Sequence, residues 1–226
     1  VSNFTGFNEI LDGRVKTLHP KIHAGILNKR KNKSHLSDIK KNNFVNIDLV
    51  IVNFYPFEKT LEQTNNHQKI IENIDVGGPT MVRAAAKNYN DVTVITSIDQ
   101  YSELINELRK NKGCTTLKFR EKMSRLAFGE TAYYDALISN YFNKFNNINF
   151  PKRKILYTNL IENLRYGENP HQIAAFYSQN LQNKLKQIHG KTLSYNNYSD
   201  IFAALNISKS LPKNTGTVIV KHGNPC

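Results

Sequence analysis

Strand-forming and helix-forming segments alternate along this chain, which predicts an α/β protein built on a mostly parallel sheet. Three observations carry that prediction. Two short runs rich in Val and Ile, DLVIVNF at Asp48–Phe54 and DVTVIT at Asp91–Thr96, are bounded by turn residues and read as buried strands. Each is followed by segments whose apolar residues recur at helical spacing. The length of 226 residues is enough for a sizeable core without disulfides, and the two cysteines, Cys114 and Cys226, make no disulfide framework.

Taken in order, Gln68–Asn73 reads as a short helix ending before Asp75-Val76-Gly77-Gly78-Pro79. Thr80–Asn88 carries three consecutive alanines, Ala84 to Ala86, and predicts a second helix. In Asp99–Lys110 the residues Tyr101, Leu104, Ile105 and Leu108 fall on one face. Lys118–Phe142 extends as a long helix whose expected stripe is Met123, Leu126, Ala127, Ala132, Ala136 and Leu137. The polar stretch Asn28–Asn43, with Lys29, Arg30, Lys31, Lys33, Lys40 and Lys41, reads as a solvated connection. Asparagines around Asn140–Asn149, then Pro151 and the cluster Lys152-Arg153-Lys154, mark a boundary. The expected domains are 1–145 and 164–226, joined by a linker over 146–163. Thr217–Val220 is a further expected strand.

Composition narrows the function classes. Thirty-one Lys and Arg against 18 Asp and Glu give a net charge of +13. Twenty-three of the 31 are Lys, and Asn occurs 30 times, so the charge reads as a solvated Lys/Asn-rich surface rather than a nucleic-acid face, which draws on Arg. No run approaches the ~18 apolar residues of a membrane span, and the expected location is the cytoplasm.

Several segments can carry chemistry. Gly13–Pro20 (GRVKTLHP) offers Arg14, Lys16 and Thr17 to an anion, or else is a basic turn. Gly77 and Gly78 before a helix allow backbone N–H groups to approach a ligand, although Thr80 can be a plain N-cap. Asp75 suits a ribose hydroxyl or base N–H rather than phosphate. Lys87 shares a helix face with Arg83, where a like charge disfavours its ammonium form; the plainer alternative is a cation at the helix end. Val52, Asn53 and Tyr55 stand at the carboxyl end of a strand, where open α/β sheets bind ligands, whereas Phe54 and Phe57 suit the core. LRYGENPHQ at Leu164–Gln172 and SYNN at Ser194–Asn197 read as binding loops or polar turns. In VIVKHGNPC, Lys221 stands beside His222, a general-base candidate whose cationic neighbour favours the neutral imidazole, or else a histidine that merely caps the strand. Pro225-Cys226 is half of a zinc-deaminase signature without its partners, so no metal is expected.

Six of these motifs in this order, GRVKTLHPKIHAGIL, VNFYPF, IDVGGPTMVRAAAKN, LRYGENPHQ, SYNN and VKHGNPC, closely resemble the bifunctional purine-biosynthesis PurH family. The resemblance covers essentially the whole chain. It implies a methylglyoxal-synthase-like α/β domain, incomplete at its N-terminus, followed by the start of a cytidine-deaminase-like transformylase domain. It also implies two activities. One is formyl transfer from 10-formyltetrahydrofolate, as co-substrate, to the nucleotide AICAR. The other is cyclisation of formyl-AICAR to IMP with loss of water.

By the same resemblance, Arg14, Lys16, Thr17, Val52, Asn53, Tyr55, Asp75, Val76 and Gly77 surround the cyclohydrolase substrate. Lys87 matches the proton donor/acceptor. Arg165 and Tyr166 match AICAR contacts, His222 the general base and Lys221 the cation beside it. A homodimer is implied as well. The family's opening strand and its Ser-Thr-Gly-Gly phosphate loop would precede Val1, and the folate pocket would follow Cys226. The chain is therefore read as an internal fragment, expected to be inactive alone. Gly223 stands where relatives carry a larger residue. The rival reading is a non-catalytic α/β domain that senses a small anion or nucleotide.

Overall fold

The computed structural model describes residues 1–179 and 187–226. The chain divides into two compact units, Val1–Ile155 and Leu156–Cys226.

The first unit begins with α1 (Ser2–Thr5), α2 (Pro20–Leu27) and α3 (Lys33–Lys41). The presence of α3 corrects the expectation of a loop over Asn28–Asn43. The Asn32 side chain accepts from the Ser34 and His35 N–H groups, and this cap starts a helix that buries none of its residues. Next come β1 (Leu49–Ile51), α4 (Phe57–Gln63), α5 (His67–Glu72), α6 (Gly77–Lys87) and β2 (Thr93–Ile95). A 3-10 turn at Ile98–Gln100 leads into α7 (Tyr101–Lys110), and α8 (Leu117–Phe145) runs for 29 residues.

Strands β1 and β2 pair in parallel with Val50 opposite Val94. Both expected strands shrink to three residues. Only β2 is buried on both faces; in β1, Val50 is 6% exposed while Leu49 and Ile51 are 38% and 46% exposed. Helix α6 packs on the sheet and on α8, and with α2 they enclose the core of Ile22, Ile26, Val82, Val94, Ile95 and Met123. The stripe of α8 also differs from expectation. Ala132 faces solvent, and the buried polar residues Ser124, Thr131 and Tyr134 take inward positions. In α7 only Leu104 is fully buried, and Ile105 is exposed.

The second unit holds β3 (Asn159–Asn163) paired antiparallel with β4 (Ala175–Ser178), then α9 (Tyr195–Ser210), then β5 (Val220–Lys221) and β6 (Asn224–Pro225). The strand expected at Thr217–Val220 reduces to Val220 and Lys221, because the chain turns back at once through His222 and Gly223. Both have positive φ, 54° and 74°, as a tight two-residue hairpin requires. Phe176, Tyr198 and Phe202 stack between β4 and α9. Tyr198 donates to Glu162 at 2.5 Å, and its hydroxyl is pushed up to about 12, first by burial and then by that carboxylate.

Candidate functional site

The first site is built around the start of α6. This helix begins at Gly77, three residues before the expected Thr80, with Val76 at its N-cap. The Val76 side chain makes no cap bond, and Asp75, one residue earlier, satisfies a free donor of the first turn, its Oδ1 accepting from the Gly78 N–H at 2.9 Å. Pro79 falls in the first turn, where its missing N–H has no intrahelical acceptor to lose. Thr80 does not act as the cap; its hydroxyl donates to the Val76 carbonyl at 2.7 Å.

The segment after Gly13 is brought against this helix end. A side chain on Gly77 would run into the Thr17 hydroxyl, and one on Gly78 would meet the Asp75 carboxylate, so both positions need glycine for close approach. The Thr17 carbonyl accepts from the His19 N–H at 2.9 Å, and His19 caps α2 by accepting from the Lys21 N–H. His23, one turn on, faces the Thr17 backbone with its Nε2 buried and unpartnered. Burial lowers its pKa, with the Thr17 backbone pulling the other way.

Tyr134 ties these pieces together. It is 5% exposed, accepts from the Asp75 N–H at 2.9 Å, donates to the Asn73 carbonyl at 3.3 Å, and packs tilted against Phe54 and edge-on against Phe57. Burial is the main reason its hydroxyl titrates above the ordinary tyrosine range; the bond from the Asp75 N–H opposes the rise, and the charges of Asp75, Asp135 and Tyr55 add smaller amounts to it. Tyr55 also acts electrostatically on Lys16. Arg14, Lys16, Thr17, Tyr55, Asp75 and Gly77 thus gather about one helix start. Asn53 stands past the end of β1, where its side-chain amide donates to the Tyr101 hydroxyl at 3.1 Å and leaves its carbonyl oxygen to accept. Val52 donates its N–H to Ile95, and Val76 is 58% exposed on the rim.

Sequence reasoning missed the acidic partners of this cluster. Arg14 pairs with Glu72, and Lys16 with Glu9 at 2.9 Å, which holds the Lys16 ammonium above the usual lysine range. Both pairs are exposed and therefore weak, so neither carboxylate holds its cation firmly. Sequence reasoning also missed Tyr134, although its place seven residues after Ala127 and three before Leu137 puts it on the buried stripe of α8. Lys87 is not brought to the cluster. It lies in the last turn of α6, ten residues or about 15 Å along the axis from Gly77.

In the second unit, Arg165 lies over the Tyr166 ring at 4.9 Å, and backbone bonds from Arg165 to Leu193 and from Tyr195 to Tyr166 join LRYGENPHQ to the SYNN segment. Ser194, 1% exposed, caps α9 in a reciprocal box with Asn197. Asp200 on α9 accepts from the Gly223 N–H at 2.7 Å, bringing the hairpin of Lys221 and His222 to the same helix. A cavity of about 430 Å³ is lined by Arg165, His189, Lys191, Asn197 and Asp200 among others. Asp200 was not singled out from sequence. Among the described residues no helix is long and apolar enough to cross a membrane, and no group of His, Cys, Asp and Glu is placed to hold a metal.

Comparison with known proteins places this geometry. Residues 1–80 match the model of the MGS-like domain, and residues 85–226 that of the AICARFT/IMPCHase bienzyme. Over its whole length the chain is 49% identical to the bifunctional purine biosynthesis protein PurH of Bradyrhizobium diazoefficiens. It is 46% identical to those of Oceanobacillus iheyensis and Thermoanaerobacter sp.. It spans 44–45% of the length of these relatives. A crystal structure of ForH superposes with a TM-score of 0.56 at 30% identity, covering 63% of this chain and 73% of that one. The chain, an MGS-like α/β unit followed by further α/β structure, belongs to the AICARFT/IMPCHase bienzyme family.

Proposed function

We propose that the protein carrying this chain performs two consecutive steps of purine synthesis. It transfers a formyl group from 10-formyltetrahydrofolate to AICAR, then cyclises formyl-AICAR to IMP with loss of water. The observation that carries this reading is the convergence of Thr17, Gly77 and Asp75 at the start of α6 with Arg14, Lys16 and Tyr55 around them. In cyclisation the carboxamide nitrogen attacks the formyl carbon, forming a C–N bond and a carbinol. The carbinol oxygen then leaves as water with protons shed by nitrogen.

Arg14, Lys16 and Thr17 supply donors for the nucleotide phosphate beside the positive end of α6. The lone pairs of Asp75 that are not used on the Gly78 N–H suit a ribose hydroxyl or a base N–H. Asn53 and Tyr55 flank the reacting amide, and Lys16 is the cation near the leaving oxygen. Held in this arrangement, an intramolecular attack gains most of its rate from orientation. In the second unit we assign Arg165 and Tyr166 to AICAR, His222 to taking the amine proton, and Lys221 to stabilising charge as formyl is transferred.

The match to biosynthetic relatives along the whole chain disfavours the sensing alternative. A cytoplasmic homodimer is part of the same proposal and rests on the family resemblance. The test is to supply the protein with formyl-AICAR and follow IMP, and separately with AICAR and 10-formyltetrahydrofolate. Turnover in both assays is expected. Nucleotide binding without either turnover would establish the sensing alternative instead.

A further inference from the structure

The turn that carries His222 draws little support from its own hairpin. Strands β5 and β6 are two residues each, and Pro225 has no N–H to give to the ladder, so Cys226 donates to the Ile219 carbonyl at 3.0 Å instead. His222 has a φ of 54°, a left-handed backbone that side chains rarely adopt and that persists only where the surroundings enforce it. Close packing does not enforce it. A Cβ built on Gly223 would meet nothing nearer than Ser199 Oγ at 4.0 Å.

A bond from outside the hairpin does hold the turn. Asp200 Oδ1 accepts from the Gly223 N–H at 2.7 Å, a short distance of the kind an ionised acceptor gives. Asp200 makes no ion pair among the described residues, so accepting this bond is the role its carboxylate is seen to play. It stands six residues beyond the Ser194 cap, on the same end of α9 that anchors LRYGENPHQ. There the Tyr195 N–H donates to the Tyr166 carbonyl at 3.2 Å, and the Asn196 side chain to the Glu168 carbonyl at 3.1 Å. One helix end thus fixes Arg165 and Tyr166 and, through Asp200, Lys221 and His222.

We propose that Asp200 is a positioning residue for formyl transfer: by holding the Gly223 N–H it sets where His222 and Lys221 stand relative to the reacting amine. This rests on the assignment of His222 as the base. The experiment is steady-state kinetics of formyl transfer by the intact protein in Asp200→Ala, Asp200→Asn and Asp200→Glu, with His222→Ala beside them. In Asp200→Ala, kcat should fall ~10- to 10²-fold, the loss that follows displacement of a reacting group by about 1 Å. The KM for AICAR should stay within about twofold, and cyclisation of formyl-AICAR should be unchanged. Asp200→Asn keeps a carbonyl oxygen for the Gly223 N–H and should restore kcat to within a few-fold of the parent.

Calorimetric titration with AICAR separates positioning from folding, because a misfolded fraction lowers the binding stoichiometry and a displaced base does not. Asp200→Glu keeps the charge but is longer by one CH₂, so it should lower kcat too, and it carries the test if Asp200→Ala does not fold. Parent-like kcat in Asp200→Ala and Asp200→Glu, while His222→Ala loses formyl transfer, would overturn the proposal and leave the base assignment standing. A raised KM at unchanged kcat would also overturn it, since Asp200 would then be a substrate contact. So would failure of Asp200→Asn to restore kcat. Full formyl transfer in His222→Ala would overturn the base assignment itself, and the proposal with it.

Discussion

The two units hold their sites by different means. In the first, the site rests on a core: β2 and the facing sides of α6 and α8 are buried, and every buried hydrophobic residue among those described lies between Ile22 and Leu137. In the second, α9 buries none of its residues, and Ile173, Ile188 and Leu156 are 80–100% exposed. There the candidate site is held by a capping box, an aromatic stack and single bonds such as Asp200 to Gly223. Apolar burial contributes roughly 1.5–3 kcal/mol per large side chain, whereas a net hydrogen bond contributes about 1 kcal/mol. Within this chain the first site is therefore held by packing, and the second by a few polar and aromatic contacts.

Hydrogen exchange offers the broadest way to break that contrast. Amides of β2 and the middle of α8 should exchange at least ~10³-fold more slowly than those of α9, following the spread between core and sub-global opening. Equal protection in both units would show that their stabilities do not differ as their burial does.

Gly77→Val tests the first site at its tightest point. The new side chain meets the Thr17 hydroxyl, so one wall must shift. Cyclisation should fall ~10²-fold, as displacement of a positioned group by about 1 Å does, while formyl transfer persists. A milder probe is Tyr134→Phe, which leaves the Asp75 N–H without its acceptor. A stability loss of about 1–3 kcal/mol, seen in the denaturant midpoint of the first unit, is expected together with weaker cyclisation. If stability falls and cyclisation does not, Tyr134 supports the fold alone.

The smallest effect concerns His23. Burial lowers its folded-state pKa below the unfolded value of about 6.5, so below that pH the unfolded chain binds more protons. Stability of the first unit should therefore decline as pH falls through and below 6.5, by a few °C in Tm. His23→Gln should flatten that slope. An unchanged slope would show that His23 does not control it.

Local chemistry was legible in the sequence, and convergence only partly so. The Val/Ile runs announced both strands of the first unit, but strand length depends on neighbours, and β1 kept three residues. The start of α6 was misjudged because Thr80 looks like a cap. Asp75, just before the two glycines, instead accepts from the Gly78 N–H three residues on, a local bond that the cap-like Thr80 draws attention away from. The helix at Lys33–Lys41 was missed because Leu36 and Ile39 are its only large apolar residues and none of it is buried, leaving the Asn32 cap as its main signal. Tyr134 lies 59 residues from the backbone group it holds, and no spacing rule links them. The motifs at Arg14–Thr17 and Asp75–Gly77 were each visible as possible anion or nucleotide elements. Only the fold shows that Thr17 touches Gly77 while Lys87 stands a helix length away.

The central claim is that cyclisation belongs to the cluster at the start of α6, and formyl transfer to the unit that carries His222. The most direct measurement is to assay both activities of the intact protein in two variants, Asp75→Asn and His222→Ala. The account predicts that Asp75→Asn loses cyclisation by ~10²-fold or more and retains formyl transfer. It predicts the reverse for His222→Ala, with a loss of ~10²–10⁴-fold, the range for a general base. Loss of both activities in either variant, or of neither in both, would contradict it.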